Sequence, residues 1–200
     1  MLHLFFSLPE SDGFVLAGGA GLIAVGLSER PTEDIDLFAP EASVRAAGDA
    51  LEIASSSKGW SVERVHDADT FRRLIIHLDG EEETMVDLAQ DAGPLGEPTI
   101  TAVGPTYPAA ELAARKVLAL FDRTALRDFI DVDRVSEVYT KEQLIEIAGT
   151  IDEGFQVSVL VQMLSGLDRF TDDQITAFGV EPTAIRDRFH HWAATLAESS

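Results

Sequence analysis

Phe14-Val-Leu-Ala-Gly-Gly-Ala-Gly-Leu-Ile-Ala-Val-Gly-Leu-Ser-Glu-Arg-Pro-Thr-Glu-Asp-Ile-Asp-Leu-Phe38 holds the pattern on which the reading of the fold turns. The apolar run Phe14 to Ala17 ends in Gly18-Gly19, a strand followed by a tight turn. Ala20 to Leu27 has the length and small apolar content of a buried helix. Asp34-Ile-Asp-Leu-Phe38 alternates polar and apolar residues, the period of a half-buried strand. Residues two apart on a strand point to the same face, so Asp34 and Asp36 stand side by side while Ile35 and Leu37 turn to the core. Paired carboxylates repel unless a cation or a proton lies between them. Hard cations such as Mg²⁺ take oxygen ligands of this type. Two such ions can activate an attacking hydroxyl and hold a leaving pyrophosphate. Alone, an Asp-x-Asp is as readily a solvated strand face.

Working outward, the chain supplies context. Glycines between a strand and a helix let backbone N–H groups approach phosphate oxygens, although Gly18-Gly19 would also serve tight packing. Glu41 to Ser57 is helical, with Val44, Ala47, Leu51 and Ala54 spaced by three and four. Trp60 to Val65, Phe71 to Leu78 and Thr84 to Leu88 read as strands, the last two joined across Asp79-Gly80, a hairpin signal. Asp87 lies between Val86 and Leu88, whose side chains face the core. It therefore faces out, a third metal ligand and an acceptor for the nucleophile's proton. From about residue 104 the pattern becomes helical: Pro108 to Phe121, Leu126 to Tyr139, Glu142 to Gly149, Asp152 to Leu167 and Pro182 to Ala197. Strands first and helices afterwards predict an α+β fold, with an α/β core over residues 1–104 and a helical domain over 105–200.

The 200 residues suffice for one ordinary domain or two small ones, and 46% hydrophobic content provides for a core. Met1 to Phe6 is apolar without a preceding basic region, unlike a secretory signal. The uncharged run Phe14 to Leu27 is too short to span a bilayer. With no cysteine, disulfides and thiolate chemistry are excluded. The expectation is a soluble cytoplasmic protein with no membrane partner. Fifteen basic against thirty-five acidic residues leave a net charge of −20. That repels polyanions at long range, so an RNA substrate would have to be gripped by a local patch.

The stretch Leu16 to Phe38 resembles the first motif of the AbiEii/AbiGii-type nucleotidyltransferase toxins: a glycine pair, a helix, Arg-x-Thr (Arg30 and Thr32), then Asp-apolar-Asp. A second match is Glu111-Leu-Ala-Ala-Arg-Lys-Val-Leu-Ala-Leu-Phe-Asp-Arg-Thr-Ala-Leu-Arg-Asp-Phe-Ile-Asp131. It is similar to that family's Leu-Ala-x-x-Lys-x-x-Ala-Leu-x-x-Arg-x-x-x-Lys/Arg-Asp-x-x-Asp. Together the matches span about Leu16 to Val132. The resemblance implies a polymerase-β-like nucleotidyltransferase fold, a small mixed sheet with helices followed by a helical half. It further implies an Mg²⁺-dependent enzyme with a two-metal site on Asp34, Asp36 and Asp87, NTP as substrate, and a cognate antitoxin protein as partner. The acceptor it suggests is RNA, often the tRNA 3′ end, which receives pyrimidine nucleotides. Arg30 would orient a carboxylate or a phosphate, and Thr32 would shape the turn.

Lys116 sits among Val117, Leu118, Leu120 and Phe121, an unusual setting in a chain with three lysines. Arg123 follows seven residues later on the same helix face. A lysine offers a point charge to a triphosphate and an arginine a planar fork, so Lys116 and Arg123 are candidate nucleotide ligands beside Gly18 and Gly19. The alternatives are a lysine snorkelling at a helix edge and an arginine capping the helix C-terminus. Asp128 and Asp131 share a face of the next helix and could orient Arg123 or Lys116, contact substrate, or merely start the helix. Thr32, two residues before Asp34, and nearby Ser28 are candidate regulatory positions, because a phosphate there would place about two negative charges beside the carboxylates. His66, His77, His190 and His191 show no metal-ligand spacing, and Trp60 and Trp192 read as core aromatics. The expected function is transfer of NMP from an NTP to RNA. The alternatives are transfer to a small-molecule or protein hydroxyl, and a non-catalytic binding module that keeps this fold.

Overall fold

The computed structural model describes residues 1–32, 34–78 and 83–199. The chain divides into two compact units, Met1–Ala109 and Ala110–Ser200. The first holds a mixed seven-stranded sheet in the order β3-β4-β5-β2-β1-β7-β6, so the fold is α+β.

Its elements, in chain order, are α1 (Leu2–Phe5), β1 (Val15–Leu16), α2 (Gly18–Ala24), β2 (Asp34–Ala39), α3 (Val44–Ser57), β3 (Ser61–Asp67), β4 (Phe71–His77), β5 (Glu83–Gln90), β6 (Thr99–Ile100) and β7 (Pro105–Thr106). The alternation in β2 sends Leu37 and Ala39 inward, and β4 and β5 bury Leu74, Ile76, Val86 and Leu88 on the same face. Helix α3 covers that face with Val44, Ala47 and Leu51, all fully buried. Its N-cap is Ser43, whose hydroxyl accepts the Ala46 N–H. One charge enters this layer: Arg72 is 1% exposed and bonds Asp49 at 2.7 Å and Asp67 at 2.8 Å. Gly48 makes room for it, since a Cβ there would stand 2.5 Å from the Arg72 side chain.

The strand and helix periods locate the long elements to within a few residues. Phe14 to Ala17 contracts to the two residues of β1, and the helix after it begins at Gly18 rather than Ala20. β6 and β7 are too short to carry a period of their own. β7 pairs parallel with β1, Leu16 opposite Thr106, and Tyr107 behind it is buried, its hydroxyl donating to the Ala92 carbonyl at 2.9 Å. These pairings hold residues 105–107 in the first unit. β4 and β5 pair antiparallel from Phe71↔Ala89 to His77↔Glu83. The Asp79-Gly80 turn expected between them lies outside the described residues.

The second unit contains α4 (Ala109–Arg123, its first residue in the first unit), α5 (Leu126–Val135), α6 (Lys141–Ile151), α7 (Val157–Leu164), α8 (Asp172–Thr176) and α9 (Pro182–Ser199). Capping boxes start two of them, Thr140 with Gln143 for α6 and Thr171 with Gln174 for α8. The single helix expected over Asp152 to Leu167 is shorter. The Asp152 carboxylate accepts the Gly154 N–H at 2.8 Å, a turn that ends α6 and delays α7 to Val157. Beyond Leu164 the chain tightens into a 3-10 turn, Ser165–Arg169. Phe129, Phe189 and Trp192 stack edge to face in the core of this unit. Trp60 is half-buried against the core of the first unit.

Candidate active site

The strand register assembles one row of polar side chains. β2 and β5 pair parallel with Asp36 opposite Asp87 and Asp34 opposite Met85. β4 and β5 pair antiparallel with Arg73 opposite Asp87. The period of two puts Asp34, Asp36, Asp87 and Arg73 on the sheet face away from α3, and neighbouring strands lie about 4.8 Å apart. Asp34, Asp36 and Asp87 are thus brought together.

Gly18 completes the row. The Ala17 N–H donates to the Asp36 carbonyl at 2.9 Å, which brings the chain turn against the Asp36 side chain. Gly18 has φ +59, and a Cβ on it would stand 1.8 Å from Asp36 Oδ2. Glycine is therefore required twice, for a left-handed backbone and for the carboxylate that fills the space. Gly18→Ala is expected to cost about 1 kcal/mol or more in stability and to displace Asp36. Denaturant melts together with a nucleotide-transfer assay check this, and an alanine variant that transfers nucleotide at the wild-type rate would refute it.

Around Gly19 gather the next two motif residues. A Cβ on Gly19 would meet Thr32 Oγ1 at 3.1 Å and Arg30 Nη2 at 3.4 Å. Thr32 Oγ1 donates to the Asp34 carbonyl at 3.3 Å, and Arg30 Nη1 to the Pro31 carbonyl at 3.0 Å. Thr32 thus bonds the backbone at the start of β2. Ser28 is buried, and its hydroxyl accepts the Arg30 backbone N–H at 3.2 Å.

A side chain not singled out from the sequence dominates the electrostatics. Arg73 Nε and Nη2 donate to the two oxygens of Asp87 at 2.7 and 2.6 Å. These bonds raise the guanidinium pKa above its ordinary value, against partial burial, and the charges of Asp34 and Asp36 add to the effect. The signal available was a charged residue at an outward position of the strand paired with Asp87, but the partner depends on register.

Oxygen donors on one strand face suit a hard divalent cation, and Asp34 and Asp36 supply them. Asp87 carries the Arg73 guanidinium on both oxygens, so a cation on its remaining lone pairs would lie beside that positive charge. Among the described residues no three His, Cys, Asp or Glu side chains are grouped to hold a metal. A mostly apolar cleft of about 280 Å³ is lined by residues including Ala20, Ile23, Thr32 and Ile35.

In the second unit the other candidates form a buried ionic cluster. Lys116 Nζ lies 2.8 Å from Asp131 Oδ2 and 3.9 Å from Asp128 Oδ1. Arg123 bonds both Asp128 oxygens at 2.8 and 3.0 Å. Both aspartates are 0% exposed and Lys116 is 8% exposed. Lys116 therefore does not snorkel, and Arg123 reaches across the turn to α5 through a bidentate pair. Of the uses open to Asp128 and Asp131, orienting these two cations is the one the geometry displays. Thr124 between the helices adopts φ +46, uncommon for a β-branched residue, and Arg169 donates to its carbonyl. His190 pairs with Asp168 at 3.1 Å and His77 lies 3.6 Å from Glu83.

Comparison with known proteins adds the family. JHP933 from Helicobacter pylori superposes with a TM-score of 0.59 at 18% identity, over 99% of this chain and 88% of that one. MenT4, a nucleotidyltransferase toxin from Mycobacterium tuberculosis H37Rv, superposes with a TM-score of 0.59 at 16% identity, over 96% and 85% of the two chains. These likenesses speak for the fold. A search of curated proteins finds no match. The profile of the family described as "Nucleotidyl transferase AbiEii toxin, Type IV TA system" matches residues 3–159. The chain therefore belongs to the AbiEii nucleotidyltransferase toxins of type IV toxin–antitoxin systems.

Proposed function

We propose that this toxin transfers a nucleotidyl group from an NTP, a pyrimidine nucleotide by family resemblance, to the 3′ hydroxyl of an RNA, with tRNA as the leading acceptor. The observation that carries the reading is Asp36 packed on the Gly18 turn, with Asp34 on the same strand face. Asp34 and Asp36 would hold Mg²⁺, which neutralises phosphate charge when bound. Backbone N–H groups at Gly18 and Gly19 would approach the phosphates. In the second unit Lys116 and Arg123, oriented by Asp131 and Asp128, are candidate nucleotide-binding cations. The acceptor oxygen forms a bond to the α-phosphorus, the bond to pyrophosphate breaks, and the hydroxyl proton passes to Asp87. Arg30 supports the turn around Gly19. The proposed RNA acceptor and a cognate antitoxin would both be met in the cytoplasm, which supports that location for the protein. Among the described residues no helix is long and apolar enough to cross a membrane.

The test is incubation with Mg²⁺, each labelled NTP and total bacterial RNA. Label in RNA supports the proposal. Label in small solutes or in protein moves the acceptor to the other hydroxyl classes, which the net charge of −20 keeps in view. Absence of any label supports a non-catalytic binding module.

The same site suggests a point of control. Thr32 is half-buried at the entry to β2 and bonds the Asp34 backbone, whereas Ser28 is buried. Thr32→Glu places negative charge beside the carboxylates and is expected to abolish transfer, while Thr32→Val retains most of it. A fully active glutamate variant would rule out control at Thr32.

A further inference from the structure

Arg73 ties the carboxylate row together. It clamps Asp87 fork to fork at 2.7 and 2.6 Å, and the charges of Asp34 and Asp36 also reach it. Arg73 offsets part of the negative charge of Asp34, Asp36 and Asp87, so the row attracts cations less than three bare carboxylates would. A second ion at Asp87 would lie beside the fixed positive charge of Arg73, which is bonded to both carboxylate oxygens. Asp87 is 13% exposed at the side chain and Arg73 40%, so the pair is partly shielded from solvent and screened less than a surface pair. An arginine also stays protonated at any physiological pH, so its charge, unlike a metal's, needs no loading.

We propose that Arg73 takes the place of one of the two ions of paired-metal phosphoryl transfer, so that this site binds a single divalent cation, on Asp34 and Asp36. The inference rests on the nucleotidyltransferase reading of those two residues. It replaces the two-ion site that the family resemblance implied, and it removes Asp87 from the metal ligands. Asp87 instead positions Arg73, and its remaining lone pairs still serve the acceptor's proton.

The experiment is titration of the full chain with Mn²⁺ alone, reading free Mn²⁺ by electron paramagnetic resonance. Binding that persists in Asp34→Asn/Asp36→Asn is subtracted as diffuse attraction to an acidic surface. The wild type should then hold one Mn²⁺ per chain, and Asp87→Asn should still hold one. Arg73→Gln should hold two, and the second should disappear again in Arg73→Gln/Asp87→Asn. Two specific ions on the wild type, or none on Asp87→Asn, or only one on Arg73→Gln would overturn the proposal. Should Arg73→Gln fail to fold, the wild-type and Asp87→Asn stoichiometries decide it. If Asp34→Asn/Asp36→Asn leaves wild-type binding unchanged, the metal reading of Asp34 and Asp36 falls, and this inference with it. A wild type that binds one ion through Asp34 and Asp36, with no gain on Arg73→Gln, leaves that reading standing and refutes only the role of Arg73.

Discussion

Lys116→Met is expected to lower stability by about 3–5 kcal/mol, because removing one partner of a buried ion pair leaves the other charge uncompensated. Asp131 is 0% exposed and lies 2.8 Å from the lysine, while Asp128 retains its two bonds from Arg123. Lys116→Met/Asp131→Asn removes the stranded charge and should recover a good part of the loss. Urea melts of the three proteins measure both effects. If Lys116 also meets the triphosphate, the double variant regains stability without regaining nucleotide affinity. Recovery of both would make the pair purely structural, and a Lys116→Met protein that melts with the wild type would show that the pair contributes nothing. The sequence alone offered a nucleotide ligand or a snorkelling lysine, neither of which makes Lys116 a partner in the core. Burial of the cluster changes that, because a charge taken out of water must be matched.

Asp36→Asn should reduce nucleotide transfer by on the order of a thousandfold or more, since metal charge stabilisation in such transfers is worth several kcal/mol. The amide keeps the shape against Gly18, so the fold should persist. Without metal the variant should melt close to the wild type or slightly above it, because one of three crowded negative charges is gone. The gain over the wild type is limited by Arg73, which already offsets part of the crowding. Mg²⁺ with NTP at a hundredfold excess over Kd should stabilise the wild type by about 2.7 kcal/mol and Asp36→Asn by much less. Thermal melts with and without ligand, beside the transfer assay, check the pattern. A less stable Asp36→Asn that still transfers nucleotide would exclude Asp36 from the chemistry.

What the sequence determined by itself is local. The period of two in Asp34-Ile-Asp-Leu-Phe38 puts both carboxylates on one strand face before any partner is known, because successive side chains alternate. The spacing of Val44, Ala47 and Leu51 likewise defines the buried side of α3. The motif around Lys116 and Asp131 sufficed to recognise the family, because each piece lies within one stretch of chain. Tertiary structure decided how charges are paired. Arg73 meets Asp87 only through the antiparallel register of β4 and β5. A shift of one residue there would turn Arg73 to the other face of the sheet. Asp131 reaches Lys116, and Asp128 reaches Arg123, only because the turn at Thr124 folds α5 back on α4. The two-residue strand β7 carries no period and exists only through its pairing with β1 and β6. Periodicity is a property of neighbours along the chain, whereas compensation of charge is a property of neighbours in space.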